Sequence, residues 1–146
     1  MALFGLDSGV EAGCREALAA AKDMAERMQN LNRALVHDIP EPLRIGIGIH
    51  TGAAIVGEMG YGKAVSVTAV GDSVNTASRT EALTKTYDCE LVISEAVAAG
   101  AGLDLGAAPR HEIEIRGRVE RLVVHTFASA RDLPAPERGG AGQRRA

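Results

Sequence analysis

Tryptophan is absent from the 146 residues, and Phe and Tyr hold the aromatic share to 3%. The interior must therefore be built from Ala, Val, Ile and Leu, and no aromatic platform for stacking bases can be assembled. Charge supplies no nucleic-acid footprint either. Sixteen Lys and Arg against nineteen Asp and Glu leave a net charge of -3 with no basic stripe, which argues against nucleic acid as a partner, because that affinity rests largely on phosphate neutralisation. The two cysteines, Cys14 and Cys89, lie far apart and form no Cys-x-x-Cys pair, so neither a disulfide framework nor a zinc site is indicated and a reducing cytoplasm is the expected setting. No apolar run approaches the ~18–20 residues needed to cross a bilayer, and the N-terminus lacks the layout of a signal peptide. The segment is expected to be soluble and to make no membrane contact of its own, whatever anchors a longer parent protein.

What is present, 46% hydrophobic and 24% charged residues, is the ordinary composition of one globular domain. MALFGLDSG (1–9) reads as a strand without its beginning. Ser8 and Glu11 have the spacing of a capping box, and a long helix is expected after them. Val10, Cys14, Ala17, Leu18, Ala21, Met24, Ala25, Met28, Leu31 and Leu35 recur at three- and four-residue steps, up to the stop at Pro40 and Pro42. LRIGIGIHTG (43–52) alternates strictly, with Leu43, Ile45, Ile47 and Ile49 on one face and Gly46 and Gly48 on the other, where the glycines would let another backbone approach. Thr51-Gly52 predicts a hairpin turn into a short strand over 53–56.

Gly57 to Lys63 then reads as a glycine-rich connection, 65–70 as extended, and Asp72 or Ser73 as the cap of a second helix reaching about Thr86. A strand over 90–93, a short helix over 94–99 and strands over 111–115 and 122–127 follow. From about Arg131 the chain turns to Pro, Gly, Ala and Arg, so 1–131 is expected to form the domain and 132–146 a disordered tail. The pattern predicts an α+β fold, ferredoxin-like, with helices packed on one face of a largely antiparallel sheet.

Among candidate motifs, GEMGYGKA (57–64) matches the G-x-x-x-x-G-K part of a phosphate loop. It fails where a Ser or Thr should hold the metal, since Ala64 stands there, and the next residues look extended rather than helical. The four histidines, His37, His50, His111 and His125, show no ligand spacing, and no G-x-S-x-G elbow occurs. No metal site is predicted from this chain.

GDSVNTASR (71–79) is the informative segment. On a helix it puts Asn75 and Arg79 on one face, one turn apart. A guanidinium offers a planar fork of donors for phosphoryl oxygens, and an amide can fix a hydroxyl or ring oxygen, so the pair suits a ribose phosphate. By spacing alone, a solvated helix face is the better explanation of the same two residues.

The segments RIGIGIHTG, VGEMG, TAVGDSVNTASR, CELVISE and IEIRGR, in this order, resemble the successive blocks of class III adenylate and guanylate cyclases, over nearly the whole chain from Met1 to about Phe127. The resemblance implies a ferredoxin-like cyclase domain that pairs head to tail with a second one, each active site lying across the interface. It implies that Asn75 orients the ribose and that Arg79 stabilises the charge developing on the α-phosphate as ATP closes to cyclic AMP and pyrophosphate. The family's base-reading position, seven residues before that Asn, is Thr68. Asp stands there in vertebrate-type adenylate cyclases, Cys in guanylate cyclases and Thr in many bacterial adenylate cyclases, which favours ATP. Arg116 matches a triphosphate-binding Lys, and Lys63 is a second candidate phosphate contact.

The family's two aspartates, which hold two Mg²⁺ or Mn²⁺ ions, precede the first matched block and have no counterpart here, nor has its first strand. The expectation is a partial domain supplying one half of a site and inactive alone, with an exposed sheet edge prone to pair with another chain. Two alternatives remain: a degenerate, non-catalytic cyclase module acting as a dimerisation or regulatory partner, and a ferredoxin-like domain for another small ligand.

Overall fold

The computed structural model describes residues 1–116 and 119–135. The first helix, α1 (Val10–Ala34), buries Gly13, Cys14, Ala17, Leu18, Ala21 and Ala25, which is the stripe expected of a helix laid on a sheet. Residues 1–9 form no strand. Their backbone turns back over the start of α1, and a Cβ on Gly13 would meet the Gly5 amide nitrogen at 2.8 Å, so this crossing admits only glycine. The cap is Gly9, with φ 87° and no side-chain hydrogen bond. The expected Ser8–Glu11 capping box therefore does not form, because the glycine crossing sets how the helix begins.

The alternating segment contributes a strand only over β1 (Ile47–Ile49). Its earlier part is held otherwise: the Asn32 amide donates to the Leu43 carbonyl at 2.9 Å and its oxygen accepts from the Leu43 amide at 2.8 Å. The expected two-faced character is nevertheless present. Ile47 and Ile49 pack on the core beneath α1, while Gly46 and Gly48 lie against the second helix, where an added Cβ on Gly48 would collide with the backbone nitrogen of Glu81.

The predicted hairpin is displaced. β2 (Ile55–Tyr61) pairs antiparallel with β3 (Ala64–Val70) from Ile55↔Val70 to Tyr61↔Ala64, and Gly62 (φ 63°) and Lys63 make the turn. The supposed glycine-rich connection is thus mostly strand. A two-residue turn needs a residue at positive φ, and Gly62 is the glycine that supplies it, whereas Gly57 and Gly60 sit within β2.

The second helix, α2 (Asp72–Thr86), is capped by Gly71 and not by Asp72 or Ser73. Its buried stripe is Thr76, Thr80 and Thr84. Their hydroxyls donate back to the carbonyls of Asp72, Thr76 and Glu81 at 2.7–2.9 Å, so three polar groups enter the interior already satisfied. Then come β4 (Leu91–Ser94), α3 (Glu95–Ala101) ending at Gly102 with φ 64°, β5 (Arg110–Ile113) and β6 (Leu122–Phe127).

The main sheet runs β1-β4-β6-β5, with β1 parallel to β4 and the other pairs antiparallel. Leu91, Ile93 and Phe127 face α1 and α3, and Val92 and Val124 face the other way, towards Leu83 and Tyr87 at the end of α2. Helices therefore lie on both faces of the sheet and not on the one expected, because Gly46 and Gly48 open the second face to α2. A 3-10 turn (Ala130–Asp132) capped by Ser129 brings Leu133 into the core at 7% exposure. The packed domain thus runs past the boundary expected at residue 131, and from residue 136 the expected tail lies outside the described residues. Cys14 and Cys89 are buried free thiols. Among the described residues no helix is long and apolar enough to cross a membrane.

Candidate active site

Since β6 is antiparallel to both β4 and β5, the strands β1, β4 and β5 all point the same way, and the segments leaving their C-terminal ends gather at one end of the sheet. Residues 50–54 leave β1 there and run beside the start of α2. Gly52 faces the Ser73 side chain, which would have to move to admit a Cβ there, and Gly71 lies against Ala53 and Ala54. His50 Nδ1 and Ser94 Oγ, 2.9 Å apart, tie the ends of β1 and β4 together. This pins the first turn of α2 to the sheet.

Asn75 and Arg79 project from that pinned turn and the next one. Both are exposed, and among the described residues neither side chain has a hydrogen-bond or salt-bridge partner. Thr68 is half-buried on β3, seven residues upstream, and its cross-strand partner is Gly57. The glycine leaves the space beside the threonine hydroxyl open, with nothing within 4 Å of where its Cβ would be. The chain from Thr68 through Gly71 into α2 thus carries three of the candidate residues on one continuous, anchored segment.

The other two are placed apart. Lys63 is exposed in the hairpin turn, five residues from Thr68 along an extended strand, a span of about 17 Å. Arg116 follows the buried Ile115 beyond β5, at the same end of the sheet as Asn75 but two strands, about 10 Å, to the side of β4. The sequence did not single out His50 and Ser94 as anchors of the site. They are 44 residues apart, so no local spacing could have linked them.

Metal ligands are a different matter. Among the described residues no group of three or more His, Cys, Asp or Glu side chains could hold an ion.

A fold of this kind, with an unpartnered amide and guanidinium on an anchored helix start, defines a candidate nucleotide site, and the comparisons give it a family. The family model described as adenylate and guanylate cyclase catalytic domain matches residues 1–128, and the chain belongs to that family. It is 36% identical over 116 residues to "Adenylate cyclase 1" of Rhizobium meliloti (strain 1021), covering 79% of this chain and 17% of that protein. It is 33% identical over 86 residues to an "Adenylate cyclase" of Anabaena cylindrica, covering 57% of this chain and again 17% of the relative. The chain thus spans about a sixth of the length of these curated relatives. Among solved structures, the guanylyl cyclase Cya2 superposes with a TM-score of 0.74 at 24% identity, over 92% of this chain and 66% of that one. The adenylyl cyclase CyaB from P. aeruginosa superposes with a TM-score of 0.64 at 26% identity, over 90% and 68%. The nucleotidyl cyclase fold is therefore the fold of this chain.

Proposed function

We propose that this chain supplies the ribose- and phosphate-binding half of an adenylate cyclase site, in which ATP becomes 3′,5′-cyclic AMP and pyrophosphate. The observation that carries the proposal is the pair Asn75 and Arg79, one turn apart, exposed and, among the described residues, unpartnered on a helix start that packs against the segment leaving β1. In the reaction the ribose 3′-oxygen forms a bond to the α-phosphorus while the bond to the bridging oxygen of pyrophosphate breaks. Negative charge accumulates on the oxygens around phosphorus, and a guanidinium aimed there stabilises the transition state more than the ground state. Asn75, one turn away, holds the ribose so that its 3′-oxygen lies in line. Because both side chains stand on a rigid helix, little is lost to reorganisation when the nucleotide binds.

Thr68 reads the purine edge on this account, and the resemblance at that position favours adenine. Arg116 at the same end of the sheet, and Lys63 at the hairpin tip, engage the triphosphate once a second domain closes over the site. Divalent ions, Mg²⁺ or Mn²⁺, would neutralise the phosphates when bound. Their carboxylate ligands come from outside the residues described here, from a partner chain or another part of a longer protein.

The second domain is a head-to-tail partner, and the β2–β3 hairpin supports that reading. Every residue from Ile55 to Val67 is exposed, including Ile55 at 78% and Tyr61 at 96%. The same observation favours a second reading, a non-catalytic module whose role is to pair with a cyclase chain. Turnover of ATP and GTP with Mn²⁺, in a protein that includes this chain and a metal-binding partner domain, tests the proposal. The expected result is faster turnover of ATP, with kcat reduced about 100- to 1000-fold by Arg79→Ala. Equal rates in the two forms would contradict it, and no turnover in any folded pairing would favour the non-catalytic module.

A further inference from the structure

At the opposite end of the sheet from Asn75, the C-terminal half of α1, the 43–45 segment and the start of β4 enclose a cavity of about 430 Å³. That volume is in the range of small-molecule sites. Its floor is apolar, with Ala25, Met28, Ile45 and Cys89 among the lining residues, and its rim carries Arg33, Arg44 and Arg131. The walls are tied together from within the chain. Asn32 makes its two bonds to the Leu43 backbone, Arg131 Nη1 donates to Gln29 Oε1 at 2.8 Å, and Glu90 Oε1 accepts from the Ser129 hydroxyl and the Ala130 amide at 3.0 and 2.8 Å.

The charge balance at the rim is opposite in sign to that of the chain, whose net charge is -3. Arg44 is paired with Asp88. Arg33 and Arg131 bond only to neutral groups, the side chains of Asn30, Gln29 and Ser129, and neither has a carboxylate partner among the described residues. Glu90 is the lining carboxylate, and one of its oxygens is already engaged twice.

We propose that this cavity binds a small amphipathic anion, a carboxylate or phosphate head on a body of several carbons, with the head between Arg33 and Arg131 and the body over Met28 and Ile45. A guanidinium with free donors prefers an oxyanion to water when an apolar wall adjoins it, and the apolar floor supplies the remaining attraction. The site is distinct from the nucleotide half-site, yet the segment from Leu43 leads directly into β1, whose glycines rest on α2. A ligand here therefore touches the segment that leads into the strand on which α2 rests.

Calorimetric titration of the full chain with octanoate, hexyl phosphate and uncharged 1-octanol, together with methyl NMR shifts, provides the test. One saturable site is expected for octanoate, for hexyl phosphate or for both, which also separates the two head groups. Binding should weaken about tenfold in the Arg33→Gln/Arg131→Gln double variant, weaken with added salt in the unsubstituted chain, and shift the Met28 and Ile45 methyls. Equal binding of octanol, salt-independent binding, an unaltered affinity in the folded double variant, shifts confined to the β2–β3 hairpin, or no saturable binding would each overturn the proposal.

Discussion

Among the described residues the Asn75 and Arg79 side chains are exposed and have no hydrogen-bond or salt-bridge partner, so no such bond gives them a structural task. Arg79→Ala should therefore leave the melting temperature unchanged to within about 2 °C, as surface substitutions usually do, while removing activity. That separation of stability from rate is what a binding residue shows and a packing residue does not. His125 is the reverse case. It is 6% exposed, and among the described residues neither ring nitrogen has a hydrogen-bond partner within normal geometry. Glu95 lies 3.9 Å away and is itself 3.8 Å from Arg110. Burial pushes the His125 pKa below its ordinary value, with Glu95 opposing and Arg110 adding to the effect. A histidine with a lowered folded-state pKa binds protons more readily when unfolded. Its neutral form is accommodated fully above the ordinary histidine range, and stability is lost as pH falls through about 6.5 and below. Thermal melts between pH 7.5 and 5.5 should show this loss, and it should shrink in His125→Gln. An unchanged pH slope in that variant would place the acid sensitivity elsewhere.

At the scale of elements, the contact between β1 and α2 decides whether the site exists. Gly48 lies so close to the Glu81 backbone that a methyl group there has no flexible neighbour to displace. Gly48→Ala is expected to push α2 off the strand and to cost about 1–3 kcal/mol, the usual penalty of overpacking, read as a lower midpoint in urea. Gly57→Ala, with open space around it, should cost much less, although it adds a methyl beside Thr68. The alternation over 43–52 made the β1–α2 contact legible in advance, because two glycines on one face of a strand have few other uses. The helix of 71–86 was legible as well, and so was its display of Asn75 and Arg79. The position of the hairpin turn was not, since Gly57, Gly60 and Gly62 look alike in sequence and pairing register alone decides which of them turns. The start of α1 was misread for a related reason: a capping box is a local signal, and the Gly5–Gly13 crossing that overrides it is tertiary.

For the whole molecule, the hairpin is the feature the rest of the fold does not explain. By register, Ile55, Met59, Tyr61 and Val70 share one of its faces, and Val56, Val65 and Val67 share the other. All of them are exposed. A two-stranded ribbon with apolar side chains uncovered on both faces is marginal in water, so the chain should associate through it. Light scattering is expected to show species larger than a monomer, reduced by Met59→Lys/Val67→Glu, with the melting transition of the four-stranded core retained. A clean monomer before substitution would remove the hairpin as the pairing surface. Thr68 lies on the same face as Met59 and Tyr61, so the position proposed to read the purine and the surface proposed to pair coincide, as expected of a site completed across an interface.

Complementation tests the half-site most directly. This chain is mixed with a cyclase domain that keeps its metal-binding carboxylates but lacks its own transition-state arginine, and cyclic AMP formation from Mn-ATP is measured. The account predicts that synthesis is restored by the chain as it stands and falls about 100- to 1000-fold with Arg79→Ala. Equal restoration by the folded Arg79→Ala chain, or none from a chain shown to pair with that domain, would contradict it.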